Sequence, residues 1–198
     1  SILKLHEAGL YDIYKPLSSY LDGRYNFDID IESLAKFKYE IVTDGRIDYN
    51  LPLAEIERRL KEARINKCNT HVYSDIPYIL IGETLKHPQE SFSSIFQKEL
   101  ELNNTSYHHQ GVLTGGSYGH LDLIHDPKAR VLSEYGLTPG HAGLYSTSED
   151  LIKLFEGLEA GFLSENSFHT LITQNYPAPI LYNEAGVPVI KEYKRSEE

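Results

Sequence analysis

The sequence predicts an α+β chain weighted towards helix, and three stretches carry that reading. "LPLAEIERRLKEARIN" (residues 51–66) puts Leu53, Ile56, Leu60 and Ala63 on one face. Glu55, Glu57, Arg58, Arg59 and Lys61 take the other faces, the pattern of a helix lying on a core. "STSEDLIKLFEGLEAG" (residues 146–161) opens with Ser146, Thr147 and Ser148 as caps and sets Glu149 or Asp150 near the positive helix end. It closes on Gly157 or Gly161. Strand-like patterns come late, in "APILYN" and "VPVIKEY" beyond Gln174.

The remaining elements follow in order. Residues 1–8 read as the end of an amphipathic helix, with Ile2, Leu3 and Leu5 apolar and Gly9 as its stop. "LYDIYKPLSSYL" is a connection with a short apolar stripe. In "DIDIESLAKFK" Asp30 is an N-cap candidate, ahead of a turn or two of helix over residues 33–38. "TDGRIDYN" is a turn. A helix follows "YSD", and another spans residues 91–100 with Phe92, Ile95, Phe96 and Leu100 inward. Residues 103–143 are rich in Gly, His, Tyr and Ser and show no helical period. A loop of that length usually carries or covers a functional surface.

Composition sets the bounds. The 198 residues suffice for one sizeable core or two small lobes. Hydrophobic residues at 40% and charged residues at 24% fit an ordinary globular protein. A net charge of −10 argues against nucleic acid or an anionic membrane as the main partner. No apolar run has the length of a membrane span. Cys68 stands alone, which excludes an intramolecular disulfide and a Cys-based metal cage. The chain has no Met and begins at Ser1 in mid-pattern. It reads as a piece of a longer chain, or as a sequence from which some residues are missing.

The stretch that bears on chemistry is "HVYSDIPYILIGETL" (residues 71–85). By spacing alone Asp75 is a helix N-cap, with Pro77 in the first turn where no donor is needed, and Tyr73 is a packed aromatic. Read with its neighbours, "YSDIPYILIGETL" resembles the Tyr-x-Asn motif of the serine beta-lactamase and penicillin-binding-protein superfamily, in whose esterase-like members Tyr-Ser-Asp also occurs. "HDPKA" (residues 125–129) and "GHAGLYSTSEDLIKLF" (residues 140–155) are similar to a further segment of that group. "LKLHEAGLYDIYKPLSSYL" resembles the stretch that follows its nucleophile helix, and "FQKELELNNTSY" resembles its "PLGMKDTSF". The matches run in the family's order over most of the chain.

The resemblance implies a beta-lactamase/DD-peptidase-like α+β fold, of which residues 1–198 are a single incomplete domain, chiefly the helical part. It implies a serine hydrolase of the class C and esterase-like branch, working through an acyl-enzyme on an ester or peptide-like amide. A small-molecule or peptidoglycan-like substrate goes with it, no cofactor and no metal, and a bacterial cytoplasm or cell envelope as its place. Tyr73 matches the tyrosine that takes the nucleophile's proton, its phenol pKa lowered by a lysine ammonium. Asp75 matches the Asn that orients that lysine and the substrate amide. An Asp adds a negative charge, which weighs against beta-lactam hydrolysis. His141, Ala142 and Gly143 match a segment that borders the acyl pocket.

"SILK" spells Ser-x-x-Lys at Ser1 and Lys4, but aligned on "LHEAGL" it falls about two turns too late to be the nucleophile. Lys4 is then a solvent-facing residue. The true Ser-x-x-Lys is expected before Ser1, and the Lys-Thr-Gly or His-x-Gly strand beyond the last residue, so this chain by itself is expected to be inactive. The alternative is a non-catalytic relative, a binding or regulatory module with the same fold. His108, His109, His120 and His125 have no helical spacing that favours a metal, and "TGGSYGH" lacks the Lys-Ser/Thr of a phosphate loop.

Overall fold

The computed structural model describes residues 1–25, 27–47, 51–68, 73–85, 93–107, 124, 126–137, 139–172, 181–182 and 188–189. His71, Phe92, His108, His109, His120, His125 and the "TGGSYGH" segment lie outside them.

Helix α1 (Ile2–Glu7) ends where expected, at Gly9 with φ +70°. Its Leu3 and Leu5 pack against both hydrophobic clusters of the fold. Lys4 is not solvent-facing. Its ammonium donates to the Phe162 carbonyl at 2.6 Å and lies 4.6 Å from the centre of that ring, with Glu99 at 3.7 Å. Asp30 caps α2 (Ile31–Ala35) by accepting the Ser33 amide at 2.7 Å, so the helix begins two residues before the predicted turn.

Strand β1 (Tyr39–Val42) pairs antiparallel with β2 (Arg64–Lys67), Ile41 opposite Ile65. Between them lies α3 (Leu53–Lys61), with Ile56 and Leu60 buried. The predicted helix over residues 51–66 is therefore half right: it stops at Lys61, and "RINK" crosses to a strand partner about 25 residues earlier in the chain. Short strand segments take their conformation from such partners more than from local pattern.

Helix α4 (Ile76–Thr84) buries Ile76, Pro77, Ile79, Leu80, Ile81, Gly82 and Thr84. A helix apolar on nearly all sides is a central one. It holds the main core together with Leu17, Tyr25, Ile31, Leu34, Val131 and Leu132.

A π-helical turn (Ser93–Gln97) runs into α5 (Lys98–Leu100). Ile95 packs there with Phe162 and Leu163, and Phe96 and Leu100 lie against them. The expectation of no helix within residues 103–143 is overturned by α6 (Pro127–Glu134). Asp126 caps it and Pro127 occupies its first turn, a local start signal that the surrounding Gly, His and Tyr obscured.

Helix α7 (Ser148–Glu159) is capped by Thr147, whose hydroxyl accepts the Asp150 amide at 3.2 Å, and gives way at Gly161, φ +88°. Asp150 is wholly buried and accepts the Asn104 amide at 2.8 Å and the Thr105 hydroxyl at 2.7 Å. It thus ties α7 to the segment after α5. Helix α8 (Glu165–Ile172) follows. Strands β3 (Leu181–Tyr182) and β4 (Pro188–Val189) pair antiparallel inside the two segments read as strand-like. Among the described residues no helix is long and apolar enough to cross a membrane.

Candidate functional site

The site candidates gather where the heads of α4 and α6 meet. Asp75 holds the cap position of α4 but does not cap it, which corrects the reading from spacing. Its backbone is already helical (φ −76°, ψ −25°), its carboxylate makes no bond to the first turn, and the Ser74 hydroxyl takes the Ile76 amide at 3.3 Å. The carboxylate instead accepts the Tyr73 hydroxyl at Oδ1, 2.9 Å, and the Lys128 ammonium at Oδ2, 3.1 Å. The Asp75 and Lys128 side chains are only 15% and 12% exposed. Charge-assisted bonds sheltered to that degree outcompete one neutral amide.

Tyr73 is 53% exposed, its ring tilted against Phe37 with centres 6.0 Å apart. Its hydrogen bond to Asp75, followed by burial and the charges of Asp75 and Asp126, raises the phenol pKa. Among the described residues only the Lys128 ammonium opposes that. In this arrangement the tyrosine is a proton donor, the reverse of the tyrosinate that the family resemblance implies.

Asp126, as cap of α6, accepts the Ala129 amide at 2.8 Å and a bond from His141 Nε2 at 2.9 Å, both at Oδ1. Burial pushes its carboxyl up. The bonds from His141 and Ala129 and the charges of His141 and Lys128 outweigh that and hold it down at about 2. The His141 side chain is 4% exposed, and Nδ1 finds no hydrogen-bond partner among the described residues.

Gly140 explains how His141 gets there. A Cβ at that position would stand 2.2 Å from the Tyr78 carbonyl oxygen and 2.9 Å from the Gly82 amide, so only a glycine lets this segment lie on α4.

Asp75, Asp126 and His141 bring one donor atom each within 4.8 Å of one another, an N/O set of the kind that takes a divalent ion. The Lys128 ammonium already supplies the positive charge to Asp75. The geometry is that of a hydrogen-bonded cluster of two carboxylates, one ammonium and one imidazole.

No family model matches the chain, and no curated protein matches it in sequence. Solved structures do match. FmtA from Staphylococcus aureus superposes with a TM-score of 0.63 at 19% identity, over 89% of this chain and 54% of that one. A penicillin binding protein from Bacillus halodurans gives 0.59 at 18%, over 87% and 60%. A beta-lactamase/D-alanine carboxypeptidase from Yersinia pestis gives 0.58 at 15%, over 93% and 56%. This chain has the serine beta-lactamase/penicillin-binding-protein fold. It spans little more than half the length of these three proteins, and what it holds is largely the helical part of that fold.

Within the beta-lactamase-like fold the predicted site residues fall into two linked groups. Tyr73 and Asp75 touch directly. His141 reaches the same cluster through Asp126, while Ala142 and Gly143 continue its segment, half-buried, with Gly143 at φ +94°. Sequence reading passed over Lys128 and Asp126 as members of the site. Both stand in the quoted "HDPKA", and the Asp-Pro pair, a helix start, could have placed them at a helix head as Asp75-Ile-Pro is placed. Lys4, the lysine of "SILK", is held by Phe162 and Glu99, outside this cluster.

Proposed function

We propose that the protein is the helical part of a serine hydrolase that forms an acyl-enzyme on an ester or peptide-like amide, with a small-molecule or peptidoglycan-like substrate. The observation that carries this is the chain Tyr73–Asp75–Lys128 at the head of the central helix. The printed names of fold neighbours add to it: a D-stereospecific amidohydrolase from Streptomyces and a D-amino acid amidase from Ochrobactrum anthropi cleave amides, as their names state.

In this reading a serine hydroxyl supplied from outside these residues attacks the carbonyl carbon. Its proton passes to the Tyr73 oxygen as the tyrosine's own proton moves on to Asp75, and the acyl-enzyme forms as the carbonyl's leaving group departs with a proton. Water then cleaves the ester and restores the serine. Asp75 is the acceptor behind the tyrosine, and His141, Ala142 and Gly143 shape one side of the acyl pocket.

A fluorophosphonate or penicillin-type probe on the longest natural form of the protein tests this. One labelled serine is expected, and Tyr73→Phe should slow labelling about 10²–10⁴-fold, the usual worth of a general base, while leaving thermal unfolding in place. No label on a folded protein overturns the proposal. A Tyr73→Phe protein labelled at full speed removes Tyr73 from it.

A second reading, a non-catalytic module of the same fold, is favoured by one observation: the Asp75 bond raises the Tyr73 pKa. The same labelling experiment separates the two.

A further inference from the structure

Lys128, like Asp126, is a member of the cluster to which the sequence assigns no role. Its ammonium reaches from the first turn of α6 to the carboxylate at the head of α4. Both side chains are mostly buried, so the lysine stem lies packed instead of trailing in solvent. The Asp75 oxygen it leaves free accepts the Tyr73 hydroxyl. A lone carboxylate beside a reacting carbonyl would repel a developing oxyanion. A carboxylate bound to an ammonium carries no net charge, as an asparagine carries none.

We propose that Lys128 is a positioning residue of this site: its ammonium makes Asp75 one half of a neutral pair and thereby fixes the Tyr73 hydroxyl at the head of α4. This rests on the hydrolase reading and deepens it. It explains how Asp stands where the family resemblance has Asn. The added negative charge that weighed against beta-lactam hydrolysis is cancelled from the neighbouring helix.

Among the described residues, the groups that face Tyr73 are Asp75 from its own segment, Asp126 at the cap of α6, Lys128 in α6 and the uncharged Phe37 ring, with His141 behind Asp126. An ion pair that only fastened two helices would act on the phenol through the ammonium's charge alone, and so equally in the natural and Asp75→Asn backgrounds. A positioning lysine acts through Asp75, and its effect depends on that carboxylate.

The test is titration of Tyr73 in the longest natural form of the protein, followed by NMR of 13C-labelled tyrosine at the ring ζ-carbon and assigned with Tyr73→Phe. Lys128→Met should move the Tyr73 titration to higher pH, because the ammonium no longer opposes the two carboxylates. Asp75→Asn should move it lower. In the Asp75→Asn background, Lys128→Met should shift it less than in the natural protein, and Lys128→Arg should restore the natural behaviour. If Lys128→Met does not fold, Lys128→Gln carries the same expectations.

An unchanged Tyr73 titration in a folded Lys128→Met or Lys128→Gln protein overturns the proposal, as does an equal shift in both backgrounds. No substrate enters this measurement. A labelled serine with an uncoupled Tyr73 therefore refutes the role of Lys128 alone, and a coupled Tyr73 with no labelled serine refutes the hydrolase reading alone.

Discussion

Replacing Asp75 distinguishes two accounts of the head of α4 that make opposite demands on asparagine. If Asp75 capped the helix, alanine would cost about 0.5–2 kcal/mol, and asparagine, an equally good cap, would cost nothing. In the structure the carboxylate makes no cap bond and takes two side-chain donors, one of them the mostly buried Lys128 ammonium. A hydrogen bond to a charged group contributes about 1.5–3 kcal/mol, and removing its acceptor takes that bond from a mostly buried ammonium. Asp75→Ala should therefore lose about 1.5–3 kcal/mol. Asp75→Asn keeps a carbonyl oxygen for one donor but loses the charge assistance that doubles such bonds, so it should lose roughly 1 kcal/mol.

The chain contains no Trp, which makes far-UV circular dichroism in urea the convenient assay, with stability read from the midpoint at constant slope. Combining Asp75→Ala with Lys128→Met should cost about 1 kcal/mol less than the two single changes summed, as expected of groups in contact. An Asp75→Asn protein as stable as the natural one, beside a weakened Asp75→Ala, would refute this account and restore the helix cap.

Two further outcomes follow from the same region. The Asp126 carboxyl is held at about 2 against an ordinary 3.8. A folded-state pKa depressed in this way adds stability above pH ~4 that disappears as pH falls towards ~2, up to ~2 kcal/mol for a largely sheltered group. Unfolding followed across that window should show the advantage of the natural protein over Asp126→Asn shrinking with acid; a constant difference would contradict it. Gly140→Ala would push a Cβ against the Tyr78 carbonyl and the Gly82 amide, backbone atoms that cannot swing aside. A loss of about 1–3 kcal/mol in urea unfolding is expected, and an unshifted midpoint would mean the segment does not lie that close to α4.

What could be read in the sequence was whatever is encoded locally. Gly9 stops α1, Asp30 caps α2, Thr147 caps α7 and Gly161 follows its end, because each acts within a turn of itself. The end of α3 was misread because Ala63 prolongs its apolar face, while the strand that follows at Arg64–Lys67 is dictated by Tyr39–Val42. Helix α6 went unseen although Asp126 and Pro127 announce it, because no amphipathic run of the length of α3 accompanies them.

The site divides in the same way. Tyr73 and Asp75 were legible as neighbours, one residue apart at a helix head. Their third member, Lys128, lies 53 residues further along the chain than Asp75. Only the packing of α6 beside α4 brings it to the carboxylate. The family resemblance pointed to His141, and the structure supplies its tie to Asp126.

The contact at Gly140 also limits what heredity can do with this site. Every glycine codon begins with two guanines, and each single-base change that is not silent yields either a stop or a residue with a Cβ. With the Tyr78 oxygen 2.2 Å from where that carbon would stand, all of these collide with the backbone of the central helix. His141, one position along, can be exchanged with no such penalty to the main chain. Among descendants of this gene, drift should therefore be quieter at position 140 than at the histidine beside it, and variants that give up His141 should still keep the glycine.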